Sequence, residues 1–181
     1  MNNIFVVSAP SGAGKSSLVN AVCELDENIK LSISHTTRPK RLVEIDGVNY
    51  HFTDVLTFQQ MINNNEFIEY AKVYDNYYGT NKHTIANFTT QGYKVILEID
   101  HQGALQIKKL IPEAVLIYIK PPSMLELERR LRSRNTDNED TITKRLSQAN
   151  LDMSHAKYFD QIIINDDFIA TVKQIHNIIV G

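Results

Sequence analysis

The chain has 181 residues, a formal net charge of −2 from 19 basic and 21 acidic side chains, and 43% hydrophobic residues. These values are typical of one globular domain and exclude a disordered or fibrous chain. The longest unbroken apolar run, 114–119, is too short for a membrane helix, and a single cysteine excludes an internal disulfide or a multi-cysteine zinc site. An apolar strand, not a signal peptide, opens the chain, so we expect a cytoplasmic protein with neither a membrane nor a nucleic-acid polymer as partner.

Strands and helices alternate along most of the chain. Short apolar runs predict strands of a buried parallel sheet at 4–8, 29–34, 93–99, 114–120 and 161–165. The segments between them predict helices at 15–25, 101–110, 123–133, 137–157 and 167–179. A capping box, Thr136-x-x-Glu139, is expected to start the fourth helix. This alternation indicates βαβ units and therefore an α/β fold.

Two segments interrupt the alternation. Residues 35–83 are more polar, with strands predicted at 50–53 and 67–74 and a helix near 56–64. Residues 127–146 are densely charged. We expect both to be insertions carried by the α/β core. The predicted division is therefore a core over 1–34, 84–126 and 147–181, a lobe over 35–83 and a lid over 127–146.

The seven arginines cluster in the two insertions. Arg38 and Arg41 lie in the lobe, and the others lie in the lid: Arg129, Arg130, Arg132, Arg134 and Arg145. Guanidinium groups match phosphate oxygens in bidentate fashion, so two clamps on small phosphates are one interpretation. Solvated helix faces are the other. We favour the second for Arg129 and Arg132, because Glu126 and Glu128 lie within one helical turn.

A phosphate-binding loop follows the first predicted strand. Ala9-Pro-Ser-Gly-Ala-Gly-Lys-Ser16 has the pattern G-x-x-x-x-G-K-[ST], with alanine at the first glycine. We expect its backbone N–H groups to surround phosphate, Lys15 to reach the β/γ-phosphates and Ser16 to bind Mg²⁺. The alternative is a glycine-rich turn with an accidental lysine, but a strand before and a helix after favour the loop. The ATP contacts expected here are Ser11, Gly12, Ala13, Gly14, Lys15, Ser16 and Ser17.

A GTPase is one candidate among P-loop proteins. Asp100-His-Gln-Gly103 has the D-x-x-G spacing after a strand. However, a GTPase also needs a later Asn-Lys-x-Asp motif, and the Asn81-Lys82 pair lacks the aspartate and comes too early. The better interpretation is that Gly103 lies at a helix N-terminus.

Several further motifs occur outside the phosphate loop. They are Thr36-Thr37-Arg38-x-x-Arg41-x-x-Glu44-x-x-Gly47-x-x-Tyr50-x-Phe52, Asn65-Glu66-Phe67-Ile68-Glu69, Tyr77-Tyr78-Gly79-Thr80 and Ile99-Asp100-x-Gln102-Gly103, followed by Arg134, Arg145 and Asn165-Asp166. Together they resemble the guanylate kinase family over essentially the whole chain. The sequence departs at Val43, Glu98 and Asn135, where that family usually has Gly, Asp and Gly. The departures bear on the 42–44 turn, the surroundings of the metal and the lid.

The resemblance implies a P-loop NTPase-type core with a five-stranded parallel sheet flanked by helices, a GMP-binding lobe and a helical lid. It also implies transfer of a phosphoryl group from ATP to GMP with Mg²⁺, with dGMP a plausible second acceptor. Arg130 and Asn165 are expected near ATP. The GMP-binding residues it implies are Ser34, Arg38, Arg41, Tyr50, Glu69, Tyr78, Thr80 and Asp100. The catalytic residues it implies are Lys15, Arg38, Arg134 and Arg145.

The residue types suit this chemistry. A phosphate dianion needs several donors, which arginines and hydroxyls supply. Guanine presents two donors beside its O6 acceptor, so carboxylates at Glu69 and Asp100 suit it, and Thr80 can donate to O6. Simpler interpretations stay open: the tyrosines could be packing, Glu69 a solvated strand residue and Asn165 a helix cap.

The attacking group is already an anionic phosphate oxygen, so no general base is required. Two other functions remain as alternatives. One is a catalytically silent, guanylate-kinase-like module that binds proteins, although such modules often lose the phosphate-loop residues present here. The other is a P-loop kinase for a different acceptor, which would not need Glu69, Thr80 and Asp100 together.

Overall fold

The computed structural model describes residues 3–73, 75–133 and 138–181. The strands are β1 Ile4–Ser8, β2 Ile29–Ser32, β3 His35–Thr36, β4 His51–Phe52, β5 Phe67–Val73, β6 Asn76–Asn81, β7 Lys94–Glu98, β8 Val115–Lys120 and β9 Gln161–Ile164. The helices are α1 Lys15–Leu25, α2 Val55–Asn63, α3 Lys82–Thr90, α4 His101–Leu110, α5 Met124–Ser133, α6 Glu139–Ser154 and α7 Phe168–Val180, with a 3₁₀ turn at His155–Tyr158.

The main sheet is parallel, with the strand order β2-β7-β1-β8-β9. Its central strands are apolar on both faces because helices cover both. On one face, Phe5 and Val7 pack with residues of α1 and α7, such as Val22 and Ile175. On the other, Val6 packs with residues of β7, α4 and β8. The chain crosses from one side of β1 to the other between β7 and β8, and ligands of such sheets bind at the carboxyl ends of the strands beside this point.

The polar segment forms its own small sheet, in the order β4-β3-β6-β5. β6 pairs antiparallel with both β3 and β5. Helix α2 covers this sheet through Phe58, whose ring stacks on Phe67 at 4.6 Å and on Tyr77 at 5.5 Å. Gly79 makes this packing possible, since a Cβ there would lie 3.0 Å from both phenylalanine rings.

The predicted α/β fold and its five-stranded parallel sheet are confirmed. The ends differ slightly: β2 stops at Ser32, two residues earlier than predicted. The predicted capping box is wrong, because α6 begins at Glu139 and its N-cap is Asn138, whose side chain accepts from the N–H of Thr141. Thr136 itself lies outside the described residues. Sequence patterns also missed β3, β6 and α3.

The described residues of the charged segment lie in two helices, α5 and α6, which pack together. Leu127 and Leu131 of α5 are fully buried against Ala149 of α6. The polar face of α5 carries Arg129 and Arg132, which pair with Glu126 and Glu128 at 2.7 and 2.9 Å and so confirm the solvated-face interpretation for these two arginines. Among the described residues, no helix is both long and apolar enough to cross a membrane.

Candidate active site

The loop between β1 and α1 depends on two glycines with positive φ, Gly12 at 95° and Gly14 at 92°. Residues with a Cβ rarely adopt this conformation. A Cβ at Gly12 would also lie 2.7 Å from a side-chain carbon of Leu131, so α5 approaches the loop closely at this point. The two glycines let the chain fold back at the amino end of α1.

The amino end of α1 is open. Each of the other six α-helices has a capping side chain, from Asp54, Asn81, Asp100, Ser123, Asn138 and Asp167. In the part of the chain that the structure describes, no side chain caps α1. Its first N–H groups therefore remain available, and with the helix dipole they form a site for an anion.

Lys15 and Ser16 point toward the end of the neighbouring strand β7. The ammonium of Lys15 donates to the carbonyl of Ile99 at 3.3 Å, and the hydroxyl of Ser16 donates to Oε1 of Glu98 at 2.5 Å. Val7 of β1 is paired in register with Glu98, which brings this carboxylate next to the loop. A cationic group, a hydroxyl and a carboxylate thus meet at the carboxyl edge of the sheet.

Behind the loop, Arg130 and Asn165 form a second pocket of about 360 Å³ with Gly12, Gly14 and Phe168. The amide of Asn165 donates to the carbonyl of Ala13 at 2.8 Å. Arg130 donates to the carbonyl of Asn165 at 3.0 Å. The helix-cap interpretation of Asn165 is wrong, because Asp167 is the N-cap of α7.

A larger cleft of about 890 Å³ runs from the phosphate loop to the small sheet. It brings together most of the predicted site residues outside the loop: Ser34, Arg38, Arg41, Tyr50, Glu69, Tyr78, Asp100 and Arg145. Thr80 lies behind the cleft wall and is fully buried. Arg134 lies outside the described residues.

One end of the lobe gathers guanidinium and phenol groups. Arg38 forms a bidentate pair with Glu44, with N···O distances of 2.6 and 3.0 Å, and its guanidinium carbon lies 5.5 Å from the centre of the Tyr50 ring. The rings of Tyr50 and Tyr78 meet edge to face at 5.9 Å. Burial, with the charge of Glu98 second, raises the pKa of Tyr50 well above its ordinary value, so the phenol keeps its proton and can donate.

Sequence reasoning gave no role to Glu44, although it lies within the quoted motif. Besides holding Arg38, its carboxylate accepts from the backbone N–H of Arg41 at 2.8 Å. Burial opposes ionisation of Glu44, but the hydrogen bonds and charges of Arg38 and Arg41 outweigh it and lower the pKa. Glu44 is therefore an ionised group that links the two arginines.

The other end of the lobe contains a buried carboxyl. Glu69 is 4% exposed, so its interpretation as a solvated strand residue is wrong. The hydroxyl of Thr80 donates to Oε1 of Glu69 at 2.5 Å, and the Ser34 hydroxyl lies 3.4 Å from that of Thr80. Burial raises the pKa of Glu69 to about 7, with Asp100 also raising it and the hydrogen bond from Thr80 lowering it.

Asp100 is the N-cap of α4, since its Oδ1 accepts from the N–H of Gly103 at 2.9 Å. The interpretation of Gly103 as part of a helix N-terminus is therefore confirmed. Capping fixes the orientation of the Asp100 carboxylate, which also faces the cleft. Its Oδ2 accepts from Gln102 at 3.3 Å.

Sequence reasoning missed part of the cleft wall on α6. Arg145 was predicted, but Gln148 and Asp152 follow it on the same helix face, three and seven residues later, and also line the cleft. Gln148 donates to Asp152 at 3.0 Å, and His101 lies 3.8 Å from the same carboxylate oxygen. The spacing of these residues was the available signal. No cluster of three or more metal-ligating side chains occurs within 3–73, 75–133 and 138–181.

Comparison with known proteins gives one consistent result. A family model described as guanylate kinase matches residues 1–180. Curated relatives named guanylate kinase from Rickettsia felis and Hydrogenovibrio crunogenus are each 51% identical to the chain, over 98% and 97% of its length and 93% and 86% of theirs.

Solved structures agree with the sequence relatives. The crystal structure of guanylate kinase from Anaplasma phagocytophilum is similar with a TM-score of 0.83 at 33% identity, over 99% of this chain and 85% of that one. The SH3-kinase fragment of tight junction protein 3 is similar with a TM-score of 0.55 at 8% identity, over 99% of this chain and 56% of that one. The second likeness concerns the fold alone.

Proposed function

The chain belongs to the guanylate kinase family, and from that membership we propose how its two pockets carry out the family's reaction. The chain transfers the γ-phosphoryl group of ATP to GMP, giving ADP and GDP. Relatives about half identical in sequence share this activity by name, so neither the silent protein-binding module nor a kinase for another acceptor is favoured. The observation that carries the assignment of sites is the single cleft joining Lys15 to the buried carboxyl of Glu69.

We assign the donor nucleotide to the phosphate loop and the pocket behind it. The open N–H groups of α1 and the ammonium of Lys15 supply donors for the phosphates of ATP. Arg130 and Asn165 line the adjoining pocket, which is the available space for the adenosine part. Their hydrogen bonds to each other and to Ala13 link that pocket to the loop.

The donor set at the end of β7 fits Mg²⁺. This ion prefers oxygen ligands and is usually held by one or two protein groups together with substrate phosphates. Ser16 and Glu98, in hydrogen-bond contact at 2.5 Å, are the oxygen groups beside the loop that would hold it. When bound, the ion would neutralise charge on the β- and γ-phosphates.

We assign the GMP phosphate to Arg38, Arg41, Tyr50 and Tyr78. Glu44 holds Arg38 in a fixed orientation before the substrate arrives, which reduces the entropy lost on binding. The Tyr50 phenol remains protonated and can donate. Because GMP brings its own anionic oxygen to the reaction, orienting this phosphate is the main task of the lobe.

We assign the guanine base to Glu69 and Asp100, whose carboxylates accept from the N1–H and amino groups. Thr80 already donates its proton to Glu69, so the Ser34 hydroxyl beside it is the better donor for O6. Adenine presents an unprotonated N1 to the same carboxylate, which disfavours AMP.

The transferring phosphoryl group would lie between Lys15 and the arginines of the α5–α6 region. We propose that Arg145 stabilises the charge that develops there, and that Arg134 is the second such residue. Arg38 also lies near this region, because the GMP phosphate assigned to it is the group that accepts the phosphoryl. Closing these groups over the cleft excludes water, which would otherwise hydrolyse ATP.

The three-part division follows from these assignments. Residues 35–83 would form the GMP-binding lobe, 127–146 the lid and the remainder the core. The assigned contacts do not use the ribose 2′-hydroxyl, so we expect dGMP to be accepted. ATP and GMP are cytoplasmic nucleotides, which supports the expected cytoplasmic location.

Glu69→Gln tests the assignment of the base site. The amide places a donor against a guanine donor, so kcat/KM for GMP should fall about tenfold to a hundredfold. AMP should lose less, because its N1 can accept from the new amide. Coupled assays of ADP release with GMP and AMP measure both, with ATP affinity as a control for the loop.

Glu66→Gln is the matched control, since Glu66 lies in the same lobe but, among the hydrogen bonds described, its side chain accepts only from Asn64. This variant should leave kcat/KM unchanged for both GMP and AMP. An equal loss for GMP and AMP in Glu69→Gln would contradict the base assignment and give Glu69 a purely structural role.

A further inference from the structure

Gly103 is placed where a helix would normally favour alanine. It lies in the first turn of α4 and is buried. Five glycines have positive φ, namely Gly12, Gly14, Gly47, Gly92 and Gly181, but Gly103 is not among them. Its backbone conformation therefore does not require glycine, and glycine is among the least favourable residues inside a helix. Another constraint must account for it.

That constraint is the close approach of the buried carboxyl on β5. A Cβ built on Gly103 would lie 2.4 Å from Oε2 and 3.1 Å from Cδ of Glu69, and 3.2 Å from Cδ1 of Ile99. Contacts below 3.0 Å do not occur for real Cβ atoms, so one of the groups would have to move. The missing side chain of Gly103 thus leaves space for Glu69.

Glu69 has little freedom to move away. Its other oxygen accepts the hydrogen bond from Thr80, which is itself fully buried. Gln106, one turn after Gly103 on α4, fixes the neighbouring strand residue. Its amide donates to the carbonyl of Tyr70 at 3.0 Å and accepts from the N–H of Tyr70 at 3.4 Å. The carboxyl is therefore held by Thr80 of β6, while Gln106 holds β5 against α4 at the next strand residue.

We propose that Gly103 is a positioning residue for guanine specificity, and that Gln106 supports it by holding α4 against β5. The inference rests on the proposed role of Glu69 in reading guanine. The bare helix surface at Gly103 and the hydroxyl of Thr80 hold the carboxylate between them, so its acceptor oxygens keep one position relative to the base. A methyl group at 103 displaces Oε2 and leaves the phosphate loop untouched.

The test is the Gly103→Ala variant with steady-state kinetics for each substrate. The KM for GMP should rise about tenfold or more, the preference for GMP over AMP should narrow, and the KM for ATP should stay within about twofold. The melting temperature of Gly103→Ala should not be lower than that of the parent, although its KM for GMP is higher, because alanine favours the helix. Gly92→Ala is the matched control: nothing lies within 4 Å of its Cβ and its φ is 86°, so it should lower the melting temperature without changing the KM for GMP.

A shorter carboxyl provides the decisive second measurement. In a Glu69→Asp background the carboxylate withdraws from α4, so adding Gly103→Ala should change the KM for GMP by less than about twofold. A full-sized effect in that background would overturn the proposal, as would an unchanged KM for GMP in Gly103→Ala alone. Equal damage to the GMP and ATP parameters would also overturn it.

Two further outcomes have defined meanings. If Glu69→Asp itself leaves the KM for GMP unchanged, the assignment of Glu69 to guanine has failed, and this inference fails with it. If Gly103→Ala does not fold, Gln106→Ala decides, because it removes the hydrogen bonds to Tyr70 without adding volume. It should raise the KM for GMP severalfold at constant KM for ATP, and no change in either would overturn the proposal.

Discussion

The phosphate loop and the 35–83 lobe are both proposed to bind phosphate groups, but they are built by opposite means. The loop uses one contiguous stretch of backbone, shaped by Gly12 and Gly14 and completed by the open end of α1. The lobe uses side chains brought together from distant positions, such as Arg38 and Tyr78. Backbone N–H groups recognise phosphate whatever is attached to it, whereas a set of side chains can be selected for one acceptor.

The two regions also differ in how their charges are maintained. At the loop, helix dipole and N–H groups supply fixed partial charges that do not titrate. In the lobe, the carboxyl of Glu69 is buried enough to raise its pKa to about 7. If Glu69 reads the base as proposed, we expect recognition of the base to depend on pH and on neighbouring side chains, while binding of ATP phosphates should not depend on Glu69. Variants in the two regions should separate these properties.

The largest expected effect is at the loop. Lys15→Met removes the charge that follows the transferring phosphoryl, so kcat should fall on the order of 10³-fold while the fold is retained. Circular dichroism and kcat measurements on the purified variant check this. Lys109→Met, on the exposed face of α4, is the control and should be silent. Substantial turnover in Lys15→Met would refute the assignment of the phosphate loop.

A smaller loss is expected where the lid meets both regions. Arg145→Ala should lower kcat on the order of 10²-fold and change the KM for GMP little, because the residue is assigned to charge that forms late. Arg129→Ala removes an arginine whose side chain is 71% exposed and should leave kcat unchanged. If Arg145→Ala mainly weakened GMP binding, this arginine would belong to the lobe and not to the transfer step.

Local patterns were sufficient to predict the core. Buried parallel strands are continuous apolar runs, and the loop motif carries its own spacing, so both were found without tertiary information. β3 and β6 were missed because their residues have weak strand signals by themselves. Asn76–Asn81 becomes a strand only through its pairing with β3 and β5.

The site was predicted unevenly for the same reason. A family resemblance named the residues that line the cleft, but not the contacts that hold them. The bond from Thr80 to Glu69 spans 11 positions, and that from Gln106 to Tyr70 spans 36. Such pairs are set by how α4 and the small sheet meet, which no spacing in one segment encodes. The roles of all these residues stay predictions, and for Arg134, which lies outside the described residues, so does its position.

A moderate effect is expected from the titration of Glu69. Burial raises the pKa of Glu69 from 4.5 to about 7, so in the free enzyme the protonated form of Glu69 predominates below pH 7. Guanine needs the ionised acceptor, and the KM for GMP should therefore rise about tenfold between pH 8 and pH 6. The GMP phosphate titrates in the same range, so Glu69→Gln, which cannot ionise, is the control. A parent profile identical to that of the variant would contradict the raised pKa.

The smallest predicted effect concerns Glu44, because two consequences of removing its charge oppose each other. Its carboxylate orients Arg38 through two hydrogen bonds and holds the backbone of Arg41 through a third. The same carboxylate repels an incoming phosphate dianion. Glu44→Gln loses part of the orientation but also removes the repulsion, so the two effects partly cancel.

The orientation should outweigh the repulsion. The side chain of Arg38 is only 15% exposed and that of Glu44 only 12%. Without Glu44, Arg38 is a partly buried cation that can adopt more than one conformation. The net loss should be close to that of an ordinary ion pair, about 0.4–1 kcal/mol, which raises the KM for GMP about twofold to fivefold at unchanged kcat. Glu128→Gln, which breaks the exposed pair with Arg132, should change neither parameter. A lower KM for GMP in Glu44→Gln would mean that repulsion dominates and that the bound phosphate itself orients Arg38. The backbone of the phosphate loop, in contrast, is fixed before any phosphate binds.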